Sequence, residues 1–355
     1  MFSLLSKVWR KVKSSKLMTK TILIITDNLP EQINGVVTTY KNIEKFAILD
    51  GYNVVVLHPG WFSYVDCPGY NEVKITYPRK VGKKIEEINP DYIHISTEGP
   101  LGLWARKYLS LRNYRYNTAY HTKFPEGLKK LFGIPEKLTW PLVRWFHKHS
   151  GKVLTTTDSM VQELKAHGFG GEVVSWTRGV DRDIFDPKLR ADVINPKYLL
   201  CVSRVSKEKN LEKFFELDYP GYSKVMVGDG PMLETYKKQY PDVHFTGFQT
   251  GLALARYYAN ADVFVFPSKW ETFGIVMIES IACGTPVASF KVQGPVDVID
   301  QELTGYMVNE DEDLGIAVSK CLKMDRNIVW QHSNRWSWEK AWHIFQNHLV
   351  EKQQK

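Results

Sequence analysis

Cysteine is scarce and scattered: Cys67, Cys201, Cys283 and Cys321 in 355 residues, with no C-x-x-C and no histidine paired to them. Neither a disulfide framework nor a zinc site follows from that pattern, and a reducing, cytoplasmic setting is expected. No apolar run reaches the roughly 18 residues that a membrane-spanning helix needs. The start of the chain lacks the apolar core of a signal peptide. No short repeat or low-complexity tract occurs. Acidic residues are the minority charge: 39 Asp and Glu against 47 Lys and Arg, a formal net charge of +8 and a pI near 9.0. That balance favours an anionic partner, whether lipid, nucleic acid or a phosphorylated substrate, although solubility alone would account for it.

The length suits two domains, and a 43% hydrophobic content is enough for two cores. Residues 1–18 are basic throughout, with Lys7, Arg10, Lys11, Lys13 and Lys16 and no acid. Phe2, Leu5, Val8, Trp9 and Val12 recur at helical spacing. The segment reads as an amphipathic helix lying on an anionic membrane, or as a basic tail. From Thr21 onward, short apolar runs alternate with helix-length segments, once over 19–187 and again over 197–335. A stretch around 188–196, bounded by Pro187 and Pro196, reads as the linker. Residues 336–355 carry a final helix, Trp336–Leu349, aromatic on several sides and therefore expected to be covered, with the first domain as the candidate cover.

The stretch Ser268–Glu279 organises the second half. Ala261–Pro267 reads as a buried strand and Ile275–Cys283 as the next helix. The loop between them lies where open α/β sheets bind ligands. Phe273, Gly274 and Ile275 bring backbone N–H groups to a helix start, which suits a phosphate or a sugar hydroxyl. Glu271 precedes that helix and Glu279 lies two turns inside it. A sugar linked to a diphosphate could span the two; a capping or salt-bridging Glu279 explains the spacing equally well. Arg204 and Lys209, in the loop after the strand Tyr198–Ser203, could neutralise a diphosphate. Gly35 precedes the helix Thr38–Leu49, so its backbone could approach a phosphate. Gly228-Asp-Gly230-Pro231 turns tightly but lacks the third glycine of a dinucleotide fingerprint. His121 ends the strand Asn117–Tyr120 and points to the crevice, or is a satisfied structural histidine. Residues 123–152 interleave lysines and arginines with Leu128, Trp140, Leu142 and Trp145. That pattern suits a lipid headgroup surface or nucleic acid, and also a core-packed helix with a solvated face. Pro59–Tyr70 reads as a long aromatic loop.

Several strings, met in order, resemble one family. They are Leu29-Pro-Glu-Gln-Ile-Asn-Gly-Val36, Ile93-His-Ile-Ser-Thr-Glu-Gly-Pro-Leu-Gly102, Tyr120-His-Thr-Lys-Phe-Pro125 and Trp176-Thr-Arg-Gly-Val-Asp181. Ser203-Arg-Val-Ser-Lys-Glu-Lys-Asn210, Val227-Gly-Asp-Gly-Pro231 and Glu271-Thr-Phe-Gly274 with Glu279 complete the set. From Ile22 to about Ala341 the chain resembles family 4 glycosyltransferases. Its nearest resemblance is to the branch with sulfoquinovosyl-diacylglycerol synthase-like enzymes and GDP-mannose-dependent α-mannosyltransferases. The resemblance implies an α/β GT-B fold: two Rossmann-like, doubly wound parallel-sheet domains facing a cleft. It implies that Glu279 holds the donor ribose, and that Glu271 with the amides of Phe273, Gly274 and Ile275 holds the hexose and part of the diphosphate. Arg204 and Lys209 would neutralise the diphosphate, Gly35 would let the first domain close on it, and Gly230 and Pro231 would line the nucleotide pocket. His121 would face the donor sugar near the reacting carbon. Arg178 and Asp297 match family positions.

The implied reaction is transfer of a hexose from GDP-mannose or a UDP-hexose to a hydroxyl, with retention of anomeric configuration. The leaving diphosphate would be stabilised by Arg204, Lys209 and helix-start amides, with no cofactor and no divalent metal. The acceptor is expected to be a membrane glycolipid or lipid-linked glycan, with the enzyme peripheral on an anionic membrane and no nucleic acid partner. Two other readings stand beside this one: a GT-B sugar-nucleotide epimerase, and an inactive GT-B protein that binds membrane or nucleic acid.

Overall fold

The structure, a computed structural model, describes residues 19–67, 70–191 and 196–353. The basic segment 1–18 and part of the linker lie outside the described residues, so the membrane-helix expectation for that segment is not addressed by the fold.

In chain order the strands of the first half are β1 (Thr21–Ile25), β2 (Asn53–Leu57), β3 (Tyr64–Cys67), β4 (Tyr70–Thr76), β5 (Tyr92–Ile95), β6 (Asn117–Tyr120), β7 (Lys152–Thr155) and β8 (Glu172–Ser175). Those of the second half are β9 (Tyr198–Val202), β10 (Ser223–Val227), β11 (Val243–Gly247), β12 (Val263–Phe266), β13 (Val287–Phe290) and β14 (Gly305–Val308). The first domain has a six-stranded sheet in the order β2-β1-β5-β6-β7-β8, and the second has one in the order β11-β10-β9-β12-β13-β14. Every pairing in both sheets is parallel. The doubly wound architecture expected from the sequence is therefore present in both halves. Strands buried on both faces are continuous apolar runs, as in Ile22-Leu-Ile-Ile25 and Val263-Phe-Val-Phe266.

Two local readings change. The aromatic loop after β2 contains an antiparallel hairpin, β3 with β4, joined across by an ion pair of Lys74 with Asp66 at 2.5 Å. The β-branched and aromatic residues of Tyr64-Val65 and Val73–Thr76 favour extended pairing, and the hairpin stands outside both sheets. The helix after β1 begins at Gly35, not Thr38, because Asn34 caps it by accepting from Val37 N at 2.9 Å. Gly35 is therefore the first residue of a helix rather than part of a loop.

The helix Trp338–Asn347 leaves the second half of the chain and packs on the first domain. Trp342 donates its indole N–H to Asp50 at 2.5 Å, and Trp176 donates its own to Ala341 O at 2.9 Å. Gly179 allows the contact: a Cβ there would sit 2.2 Å from Trp338 N. Trp176, Trp342 and Phe345 share one core with Ile22, Tyr40 and Leu154.

Candidate active site

In the second domain the donor-side residues converge at the carboxyl ends of β9, β10 and β12. Glu271 accepts from the Lys209 ammonium at 3.1 Å and from Thr272 N at 3.0 Å. Asn210, in the left-handed conformation, reaches Pro267 O at 3.0 Å and ties the β9 loop to the end of β12. Gly274 opens the helix Ile275–Ala282 at φ 83°, where a Cβ would meet the Met277 Cε at 2.6 Å. Only glycine enters this helix without strain. Ile275 and Val276 then present first-turn N–H groups. Phe273 is buried and anchors the turn in the core. Glu279, on the same helix, receives the Tyr258 hydroxyl at 3.1 Å. Desolvation pushes its carboxyl up to about 7, against the lowering effect of that hydrogen bond. Arg204 stands two residues beyond the end of β9. Gly228 and Gly230 bring the β10 loop against it, since a Cβ would lie 1.9 Å from Ser203 O and 2.4 Å from Val205 O. Gly230 and Pro231 are thus adjacent to the Arg204 loop.

In the first domain, β1, β5 and β6 are neighbours, and their carboxyl ends carry Asp27, Glu98 and His121. Both Asp27 oxygens are engaged: Oδ1 accepts from Leu101 N at 2.7 Å, and Oδ2 from the Thr97 hydroxyl at 2.7 Å and Gly102 N at 3.3 Å. Burial pushes this carboxyl up to about 6.

His121 is only 8% exposed, and its protons can be assigned. Arg178, which can only donate, bonds to Nδ1 at 2.8 Å. The ring is neutral, because burial and then the Arg178 charge hold its pKa well below the ordinary value. Nε2 therefore carries the hydrogen and donates to the Tyr40 oxygen at 2.9 Å, and the Tyr40 hydroxyl donates to His94 Nε2 at 2.7 Å. Both nitrogens of His121 are used. In this arrangement the ring braces the end of β6. Arg178, buried and brought down to about 10 by desolvation, also donates to Trp176 O at 2.6 Å. Its role is internal.

The two halves are closed on each other. Thr272 donates to His121 O at 2.7 Å, and Thr156 donates to Thr272 O at 2.8 Å. Asp297 accepts from the Ser159 hydroxyl at 2.5 Å and from its N–H at 3.2 Å. A Cβ on Gly35 would lie 3.7 Å from the Ile275 Cδ1. Two helix starts, one from each domain, therefore meet at the donor side.

Sequence reasoning passed over Tyr40, His94, Thr272, Glu98 and His147. Their partners lie tens to more than a hundred positions away, so no local spacing marks them. Asp-x-Asp pairs occur at Asp181–Asp183 and Asp311–Asp313. Asp181 accepts from Asp183 N at 3.1 Å, and Asp313 caps a helix through Gly315 N at 2.9 Å.

Residues 33–184 match the model of glycosyltransferase family 4, and residues 184–337 match that of glycosyl transferases group 1. A sulfoquinovosyl transferase of Arabidopsis thaliana is 28% identical; the match covers 84% of this chain and 61% of the plant protein. A GDP-mannose-dependent alpha-mannosyltransferase of Mycobacterium tuberculosis is 30% identical, with 81% and 83% covered. An alpha-monoglucosyldiacylglycerol synthase of Streptococcus pneumoniae is 24% identical, with 84% and 77% covered. Among solved structures, sucrose-phosphate synthase of Thermosynechococcus elongatus superposes with a TM-score of 0.73 at 19% identity, covering 92% of this chain and 94% of that one. An Anabaena protein solved with UDP-glucose gives 0.69 at 15% identity, covering 92% and 98%.

Proposed function

Because the chain belongs to the group 1, family 4 glycosyltransferases, which use nucleotide sugars, we propose that it transfers a hexose, with retained anomeric configuration, from GDP-mannose or a UDP-hexose to a hydroxyl of a membrane glycolipid. The observation that carries this reading is the convergence of Glu271, Lys209 and the start of the helix Ile275–Ala282 on one wall, with Gly35 opposite. Charge builds on the departing diphosphate in an oxocarbenium-like transition state. Arg204, Lys209 and the amides of Ile275 and Val276 are suited to receive it without a divalent metal. Glu279 accepts the ribose hydroxyls, and Glu271 orients both the hexose and Lys209. The hydrogen bonds around Thr272 and Asp297 hold the cleft shut against water during transfer. His121 supports the front face of the sugar through the backbone it braces.

A lipid acceptor draws on a second observation. On the helix Glu136–His147, Leu138, Leu142 and Trp145 are 63%, 47% and 46% exposed, one turn apart along a single face. Lys137, Arg144 and Lys148 flank them. Apolar side chains rimmed by cations suit an anionic headgroup layer, so the enzyme works peripherally on a membrane. Among the described residues no helix is long and apolar enough to cross a bilayer.

The test is a donor screen with EDTA present, using GDP-mannose, UDP-glucose, UDP-galactose, UDP-glucuronic acid and UDP-N-acetylglucosamine, with and without vesicles of phosphatidylglycerol containing a monoglycosyl-diacylglycerol. One donor turned over, and faster with vesicles, is the expected result. No release of nucleotide and no donor binding would reject the enzymatic reading. Replacing Leu138, Leu142 and Trp145 by Ser should weaken vesicle binding; unchanged binding would reject this face as the contact.

A further inference from the structure

We propose that Trp270 is a positioning residue for Glu271: its indole, seated in the niche that Gly127 leaves on the first domain, aligns that donor-side carboxylate when the two domains close. The positioning role rests on the glycosyltransferase reading; the seating of the indole does not.

Gly127 is the fourth residue of the helix Phe124–Phe132, a place where glycine is a poor choice. Its N–H donates to Lys123 O at 2.9 Å, an ordinary helical bond, and it is not among the glycines in the left-handed conformation. No turn or cap asks for glycine there, and alanine would favour the helix. The reason for it lies across the interface. A Cβ on Gly127 would stand 3.3 Å from both Cζ2 and Cη2 of Trp270, and among the described residues it would meet nothing else within 4 Å. A longer side chain would displace the edge of the indole. The bare patch on this helix therefore fits one ring, and that ring belongs to the other domain.

Trp270 immediately precedes Glu271, and the chain is held on both sides of that carboxylate. Before it, the buried Ser268 donates its hydroxyl to Trp270 O at 3.2 Å. After it, Thr272 donates to His121 O at 2.7 Å and its carbonyl accepts from Thr156 at 2.8 Å. Both neighbours of Glu271 are thus seated on the first domain, while Glu271 itself turns to Lys209 of the second at 3.1 Å. Gly294, at φ 90°, supports it from behind, since a Cβ there would lie 3.3 Å from the Glu271 Cβ. A carboxylate on a flexible side chain is aligned by the packing around its backbone. When the domains part, Trp270 leaves its niche and Thr272 loses its partners, so Glu271 is no longer fixed. Arg204, Lys209 and the amides at the start of the helix Ile275–Ala282 all belong to the second domain and keep their places. Nucleotide binding therefore needs one domain, and alignment of the hexose needs both.

The test uses the full chain and the variants Gly127→Ala, Gly127→Leu, Trp270→Phe and Trp270→Ala. With 5-fluorotryptophan incorporated, the 19F resonance of residue 270, assigned by its loss in Trp270→Phe, should move in Gly127→Leu. Melting temperatures should show the coupling. Gly127→Leu should lower Tm in the unmodified chain and raise it in Trp270→Ala, where no ring stands in the way and helix propensity remains. Calorimetry should give dissociation constants for GDP and UDP that stay within about twofold across the set. Release of nucleotide from GDP-mannose or the UDP-sugars, with vesicles of phosphatidylglycerol containing a monoglycosyl-diacylglycerol, should show kcat lowered about tenfold or more by Gly127→Leu and Trp270→Ala. Gly127→Ala should cost less, and Trp270→Phe should recover most of the rate. An unmoved resonance, or the same Tm change in both backgrounds, overturns the seating of the indole. An unchanged kcat in Gly127→Leu, or nucleotide binding that weakens in step with kcat, overturns the positioning role. Failure of the unmodified chain to bind either nucleotide would reject the glycosyltransferase reading and the positioning role with it, and the 19F and melting results would still decide the seating.

Discussion

At the scale of single residues, Glu279 carries the most specific consequence. Its carboxyl is held up to about 7 by desolvation. An acceptor of ribose hydroxyls must be ionised, so donor affinity should fall as pH drops below about 7. The effect on stability has the opposite sign. A carboxyl whose folded pKa exceeds its unfolded value stabilises the fold below the unfolded value and loses that contribution as pH rises through about 7. Glu279→Gln should therefore weaken nucleotide binding above about pH 7, where the native carboxyl is ionised, and little below it, while raising Tm more at pH above 7 than near the unfolded carboxyl value. Calorimetric titration and thermal melts over the same pH series check both signs. Lys209→Ala removes a cation aimed at the leaving diphosphate and should lower kcat by about 10²–10³-fold. Lys129→Ala, at an exposed lysine paired with Glu136 at 2.9 Å, should change little. Equal, modest effects from both would reject the assignment of Lys209.

At the scale of elements, the buried series Arg178–His121–Tyr40–His94 joins the first helix to the ends of β5 and β6. Its far end, His94, packs on Phe345 of the C-terminal helix with ring centroids 4.9 Å apart. Tyr40→Phe removes both contacts of the hydroxyl and leaves a nitrogen unpaired on each imidazole. The expected loss is about 1–3 kcal/mol of stability, read from urea unfolding. A loss within error would mean that the bonds of this series contribute no net stability. Much at this scale is legible in the sequence. Apolar runs such as Val263–Phe266 announce buried strands, and Gly284-Thr-Pro286 announces a helix stop. The hairpin β3–β4 escaped because its residues, mixed in polarity, belong to neither sheet. The start of the first helix was misplaced by three residues because its capping bond, from Val37 N to Asn34, is visible only once the backbone is folded.

At the scale of the molecule, closure depends on few bonds. Thr272 serves as both donor and acceptor between the domains, and Asp297 grips Ser159. Thr272→Val together with Asp297→Asn should open the cleft in the absence of ligand, increasing the radius of gyration by small-angle scattering and raising the donor KM. Unchanged scattering with unchanged KM would mean that the C-terminal helix, rather than these bonds, holds the two halves together. That helix is a second tie, since its aromatic face completes the core of the first domain.

The sequence by itself determined the two parallel-sheet domains, the family, and the loops where Glu271, Glu279, Arg204 and Lys209 stand. Those features follow from local apolar periodicity and from short strings whose residues are neighbours along the chain. Only the tertiary structure decided what His121 does with its two nitrogens, that Arg178 turns inward, and that Glu98 meets His147. Each depends on partners 49 or more positions apart, brought together by strand order. The direction of a hydrogen bond depends on every other bond its partner makes, and that network exists only in the folded chain.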